Sequence, residues 1–83
     1  MSGSIRQIAI EFEAKIVREA SSVTLIDLAR QLRNAIHSMS FNEVLELLKA
    51  FDEAIPDDED SYYFRTLANN LKIILHYHNL IQM

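Results

Sequence analysis

The stretch that decides the fold is residues 40–64, which read SFNEVLELLKAFDEAIPDDEDSYYF. Its first half places apolar residues three and four apart, which predicts an amphipathic helix. The apolar positions of this helix are Phe41, Val44, Leu45, Leu48, Phe51 and Ile55. Pro56 disfavours helical backbone at the residue before it, so we expect the helix to end there. Four acids at 57–60 then form a polar connection, and we expect one of them to cap the helix that follows.

Capping signals mark the start of this third helix. Ser40 and Glu43 have the spacing of a capping box, and Met39 lies where a hydrophobic staple would place it. Upstream, two amphipathic segments are predicted on either side of Ser21 and Ser22. Thr24 and Asp27 have capping-box spacing, with Asp in place of the usual Glu, which favours a break there. A single continuous helix through the two serines is the alternative.

The fourth predicted helix, residues 61–81, is the most apolar. One stripe does not account for all of its apolar residues, which lie on several sides. A helix that is apolar over most of its girth is either central in a bundle or shared with a second chain. We therefore expect a homodimer through this helix, with an interface made of Phe64, Leu71, Ile74, Tyr77, His78 and Ile81.

Length and composition predict one domain over residues 1–83. It is an all-α bundle of about four helices, in which helices three and four form an antiparallel hairpin. One glycine and one proline suit helices joined by short connections better than a turn-rich sheet. The absence of cysteine excludes disulfides and thiolate metal sites. No signal-like N-terminus and no apolar run near the roughly 20 residues of a membrane span are present, so we expect a cytoplasmic protein.

Charge is distributed unevenly along the chain. The net charge is −4, and residues 41–83 hold eight acids against three basic side chains. Such a half repels phosphate backbones, which argues against nucleic-acid binding. The alternative is a DNA-associated transcriptional regulator that uses the less acidic N-terminal half. Its basic side chains are Arg6, Lys15, Arg18, Arg30 and Arg33.

The sequence offers little for metal binding or catalysis. His76 and His78 are two residues apart and point about 200° away from each other on a helix, so they do not chelate one ion together. The acidic segment lacks the glycine and the final glutamate of a calcium loop. No phosphate-cradling glycine loop or nucleophile elbow is present. We therefore predict no metal, no cofactor and no enzymatic activity.

The most pronounced local feature is a run of acids followed by two tyrosines. Carboxylates steer a basic partner and tyrosines anchor it, which predicts a protein-binding site. Its residues are Asp57, Asp58, Glu59, Asp60, Tyr62 and Tyr63. The plainer interpretation is that the acids only cap and solubilise, with Tyr63 in the core and Tyr62 half exposed. The predicted function is a small non-catalytic regulator (an inhibitor, adaptor or chaperone) that binds a basic or apolar surface of another protein stoichiometrically.

Overall fold

The structure, a computed structural model, describes residues 4–82 of the chain. It contains four α-helices: α1 Ile5–Glu19, α2 Val23–His37, α3 Phe41–Ala54 and α4 Tyr62–Tyr77. A single 3₁₀ turn, Glu59–Ser61, leads into α4. Within the described residues there is no strand. The predicted all-α bundle is confirmed.

The helices form a ring in which each packs against its neighbours in sequence and α4 closes back on α1. The contact of α1 with α2 is the most extensive, and the two contacts of α4 are the sparsest between helices. Helices α3 and α4 form the predicted antiparallel hairpin. The ring centroids of Phe12 and Phe51 lie 5.5 Å apart. This contact joins α1 to α3 in the core of the bundle. No helix in the described part of the chain is long and apolar enough to cross a membrane.

The predicted break between the first two helices is confirmed. Ala20 is extended, and the Ser22 hydroxyl oxygen accepts a hydrogen bond from the Leu25 amide at 3.3 Å. Ser22 is therefore the N-cap of α2, because it satisfies one of the free amides of the first turn. The predicted Thr24 capping box is wrong, since Thr24 lies inside the helix.

The helix α3 starts at the predicted residue, but the predicted capping box does not form. Ser40 occupies the N-cap position and its side chain makes no capping hydrogen bond. Met39 is exposed, so it is not the predicted hydrophobic staple of α3. Its backbone has φ 59° and terminates α2. The Met39 amide donates to the Ile36 carbonyl at 3.1 Å and the Ser40 amide donates to the Ala35 carbonyl at 2.9 Å. This is a Schellman motif with a methionine where glycine is usual.

The helix α4 ends at Tyr77, before the predicted residue 81. A second Schellman motif terminates it, with Asn79 at φ 61°. The Asn79 amide donates to the His76 carbonyl at 2.8 Å, and the Leu80 amide donates to the Leu75 carbonyl at 2.9 Å. The chain then turns back, and Ile81 is buried in the core. Asparagine tolerates the left-handed conformation, which is a stop signal that apolar periodicity alone does not reveal.

Candidate functional site

The acidic turn, residues 57–60, is exposed throughout. Asp58 Oδ1 accepts a hydrogen bond from the Ser61 amide at 2.9 Å and closes the 3₁₀ turn. The prediction that one of these acids caps the fourth helix is wrong, because Asp58 caps only the 3₁₀ turn and Ser61 occupies the N-cap position of α4 without a side-chain capping bond. Among the described residues, none of the four carboxylates takes part in an ion pair. Their charge is available to another molecule.

Asp52 does not belong to this exposed acidic group. It forms an ion pair with Lys72 of α4, and both side chains are about three-quarters buried. Its second oxygen, Oδ1, is buried and has no hydrogen-bond partner among residues 4–82. Asp52 therefore links α3 to α4, and its charge is neutralised inside the bundle.

An acidic cleft of about 390 Å³ lies between the α1–α2 junction and the acidic turn. Its walls come from residues 19–25 on one side and 56–64 on the other. Three carboxylates line it, and no lysine or arginine of the described chain does. The lining side chains that matter most for its chemistry are Glu19, Leu25, Asp58, Asp60, Tyr63 and Phe64. One of the three carboxylates, Glu19, lies 3.5 Å from the Arg18 guanidinium at the exposed rim.

The two adjacent tyrosines serve different surfaces. Tyr63 is 42% exposed, lines the acidic cleft and meets the Phe64 ring at 5.6 Å in an edge-on arrangement. Tyr62 is 69% exposed and lies outside the cleft. Successive residues on a helix point about 100° apart, which explains the separation. The alternative expectation that Tyr63 packs in the core is wrong. Of the two predicted tyrosines, only Tyr63 lines the cleft.

The predicted dimer face is divided as well. Leu71 and Ile81 are buried in the core of the single chain, so they offer no surface to a second copy. Phe64 and Ile74 are partly exposed, and Tyr77 and His78 are exposed. The prediction that Leu71 and Ile81 belong to a dimer interface is wrong, because α4 ends at Tyr77 and both side chains lie in the core of the single chain.

Two of the three histidines, His37 and His76, lie near backbone carbonyls. His37 Nε2 is 3.2 Å from the Arg6 carbonyl oxygen, and His76 Nδ1 is 3.4 Å from that of Ile81. Across residues 4–82, no three metal-ligating side chains come together. The contacts of His37 and His76 tie neighbouring segments to each other.

Most of the N-terminal basic side chains are engaged within the fold. Arg30 and Arg33 of α2 both reach Glu13 of α1, at 3.6 and 2.5 Å. Arg6 donates to the His37 carbonyl at 3.4 Å. These contacts hold α1 against α2. The Glu13 carboxylate offsets one of the positive charges on which the DNA-binding alternative depends.

Sequence reasoning found two of the three acids of the cleft, Asp58 and Asp60, but neither Glu19 nor the cleft itself. Its two walls are separated by more than thirty residues along the chain. No local periodicity brings Glu19 and Asp58 together, because that depends on how α4 closes onto α1. Comparison of the chain with protein-family models, curated proteins and solved structures gave no match. The chemistry of the surface is therefore the basis for a function.

Proposed function

We propose that this protein is a small non-catalytic regulator that binds a basic surface of a partner protein stoichiometrically, as an inhibitor, adaptor or chaperone. The observation that supports this is the acidic cleft, in which Glu19, Asp58 and Asp60 face a shared space without a basic neighbour in its lining. Clustered carboxylates attract and orient lysine and arginine side chains. The cleft also supplies an aromatic wall.

The cleft suits the shape of a long basic side chain. Such a side chain packs its aliphatic stem on apolar surface while its charged head remains near polar groups. Tyr63 and Phe64 provide the apolar surface, and Asp58 and Asp60 provide the charge. An arginine over the Tyr63 ring would add a cation–π contact of about 0.5–1 kcal/mol at such an exposed site.

The remaining acids act at longer range. Asp57 and Glu59 lie outside the cleft lining and are exposed on the same turn. Their effect on a basic partner falls off over a Debye length of about 8 Å at physiological salt. They therefore raise the rate of association, whereas the cleft side chains determine how long the complex lasts.

The acids of the turn are tested by neutralising all four. The variant carries Asp57→Asn, Asp58→Asn, Glu59→Gln and Asp60→Asn, and its binding to an arginine-rich peptide is measured by calorimetry at low and physiological salt. We expect the affinity to fall at least tenfold at low salt. The free energy of unfolding should change by less than about 0.5 kcal/mol, because asparagine retains the cap that Asp58 provides.

A matched control removes the same number of charges elsewhere. Four exposed acids outside the cleft lining are neutralised together: Asp27, Glu43, Glu46 and Glu53. We expect this variant to retain most of the affinity. If both variants lose affinity equally, net charge alone explains binding and the cleft is not the docking site.

The two tyrosines provide a second test with its own control. Tyr63→Ala removes the aromatic wall of the cleft, and Tyr62→Ala removes a neighbour that lies outside it. We expect Tyr63→Ala to weaken peptide binding several-fold and Tyr62→Ala to leave it unchanged. A loss in both variants would contradict the assignment of Tyr63 to the site.

A further inference from the structure

Ser61 is the most deeply buried polar residue of the described chain, residues 4–82. It occupies the N-cap position of α4, is 6% exposed and lines the acidic cleft. Its backbone amide donates to Asp58 Oδ1 at 2.9 Å. Its hydroxyl makes no capping bond and takes part in no side-chain hydrogen bond of the described residues.

The Ser61 hydroxyl opens onto the acidic cleft. Its oxygen is not one of the unpartnered side-chain atoms of residues 4–82 that are fully enclosed, so it reaches the space that Ser61 lines. The other two serines of the cleft differ from it. The Ser22 hydroxyl accepts from the Leu25 amide, and Ser21 is exposed. Among the described residues of the cleft wall, Ser61 therefore has the hydroxyl that is both buried and unpartnered.

A buried hydroxyl without a partner indicates a place for a ligand atom. Proteins pair nearly all of their buried polar groups, because an unpaired group loses the hydration it had in the unfolded chain. The Ser61 hydroxyl faces a cleft and not the apolar core, so a bound molecule can supply the missing partner. This observation concerns a neutral group and is independent of the charge of the neighbouring acids.

The groups around Ser61 determine which chemistry the ligand needs. Ionised Asp58 and Asp60 only accept hydrogen bonds, and the serine oxygen accepts as well, so the ligand must carry several donors. An arginine guanidinium has five N–H donors in a rigid plane, whereas a lysine ammonium has three donors on one strongly hydrated nitrogen. The guanidinium plane also stacks on an aromatic ring such as that of Tyr63.

We propose that the acidic cleft selects arginine over lysine and that the Ser61 hydroxyl determines this specificity. The hydroxyl accepts a hydrogen bond from one N–H of the guanidinium, while the carboxylates of Asp58 and Asp60 accept from the others and balance its charge. Charge alone attracts both kinds of basic side chain equally, so it does not discriminate between them. This inference rests on the proposed function and names the side chain that the partner presents to the cleft.

The first experiment compares two peptides of the same sequence and charge, one with arginine and one with lysine at every basic position. Calorimetry at physiological salt measures both affinities on one protein. We expect wild type to bind the arginine peptide at least about tenfold more tightly, since a hydrogen bond to a charged group has an effect of this size. Ser61→Ala removes the hydroxyl, and we expect the ratio to fall to about threefold, the part contributed by stacking on Tyr63.

The matched control is Ser21→Ala, which removes an exposed hydroxyl from the opposite wall of the cleft. We expect its ratio of arginine to lysine affinity to equal that of wild type. Both affinities are measured on the same variant, so a change in the stability of α4 does not alter their ratio. An equal fall of the ratio in Ser21→Ala and Ser61→Ala, or an unchanged ratio in Ser61→Ala, overturns the assignment of Ser61.

The second experiment leaves the protein unaltered and changes the ligand. Dimethylation of the arginine side chains keeps their positive charge and blocks part of their hydrogen bonding. We expect the dimethylated peptide to bind wild type within about threefold of the lysine peptide, because only stacking still favours it. Binding as tight as that of unmodified arginine overturns the role of the hydroxyl.

The same measurements separate this inference from the proposed function. If wild type binds the arginine and lysine peptides equally well, the cleft remains a site for basic partners and only the selection of arginine is overturned. If wild type binds neither peptide, the proposed function fails and this inference fails with it.

Discussion

The two helix pairs of the bundle are held together in different ways. Helices α1 and α2 share the most extensive contact, a connection of three residues, and two arginines that converge on Glu13. Helices α3 and α4 share a sparser contact, a connection of seven residues, and the Asp52–Lys72 ion pair. The looser pair supplies the longer wall of the acidic cleft, including two of its three carboxylates. A helix with fewer internal contacts retains more surface for other molecules.

The largest expected effect comes from comparing two fully buried leucines, one from each pair. Leu32→Ala in α2 and Leu75→Ala in α4 remove the same atoms from sites without solvent exposure. Such changes cost about 2–5 kcal/mol, and the cost depends on how far the surroundings collapse into the cavity. We expect Leu32→Ala to cost more, because α2 packs more closely on both neighbours. Urea denaturation measures both values, and an equal or reversed order would contradict the difference between the pairs.

The ion pair between α3 and α4 is expected to contribute less. Asp52→Asn leaves the Lys72 ammonium, about three-quarters buried, without its carboxylate, so we expect a loss of about 1–2 kcal/mol. Lys72→Met removes the charge and keeps the stem, and the double variant closes a mutant cycle. A coupling energy near zero would mean that burial of α4 against α1 holds the helix without this contact.

The same comparison shows what the sequence revealed and what it did not. Helix number, the break at Ser21 and Ser22, and the stop at Pro56 followed from periodicity and from residues with restricted backbones. These signals are local. The acidic cleft, the division of Tyr62 from Tyr63, and the burial of Leu71 depend on how α4 lies on α1 and α3. Apolar periodicity shows which face of a helix is buried. It does not show which of the other faces are covered by neighbouring helices.

The ends of α4 and α2 illustrate a second limit of local signals. Both helices stop at a left-handed residue, but neither has a glycine there. Asn79 is a recognisable substitute, whereas Met39 is not, because a methionine in this conformation is disfavoured by its Cβ. The turn at Met39 forms because the buried Ile36 and Val44 fix the direction of the chain on either side of it.

The smallest effect concerns these two residues and sharpens the comparison between the pairs. Met39→Gly removes a left-handed strain of roughly 1–2 kcal/mol, part of which is offset by the greater freedom of glycine in the unfolded chain. We expect a net gain of about 0.5–1 kcal/mol, or a rise in Tm of a few degrees for a domain of this size. Asn79→Gly should gain at most a few tenths of a kcal/mol, because asparagine already tolerates this backbone.

Met39→Ala separates the two contributions to that gain, because it shortens the exposed side chain and keeps the Cβ that causes the strain. We expect no stabilisation from it. Equal gains from glycine and alanine at 39 would attribute the effect to the side chain. Equal gains from glycine at 39 and 79 would show that the end of α2 is no more strained than that of α4. The left-handed backbone at Met39 would then cost the α1–α2 pair no more than the one at Asn79 costs α4.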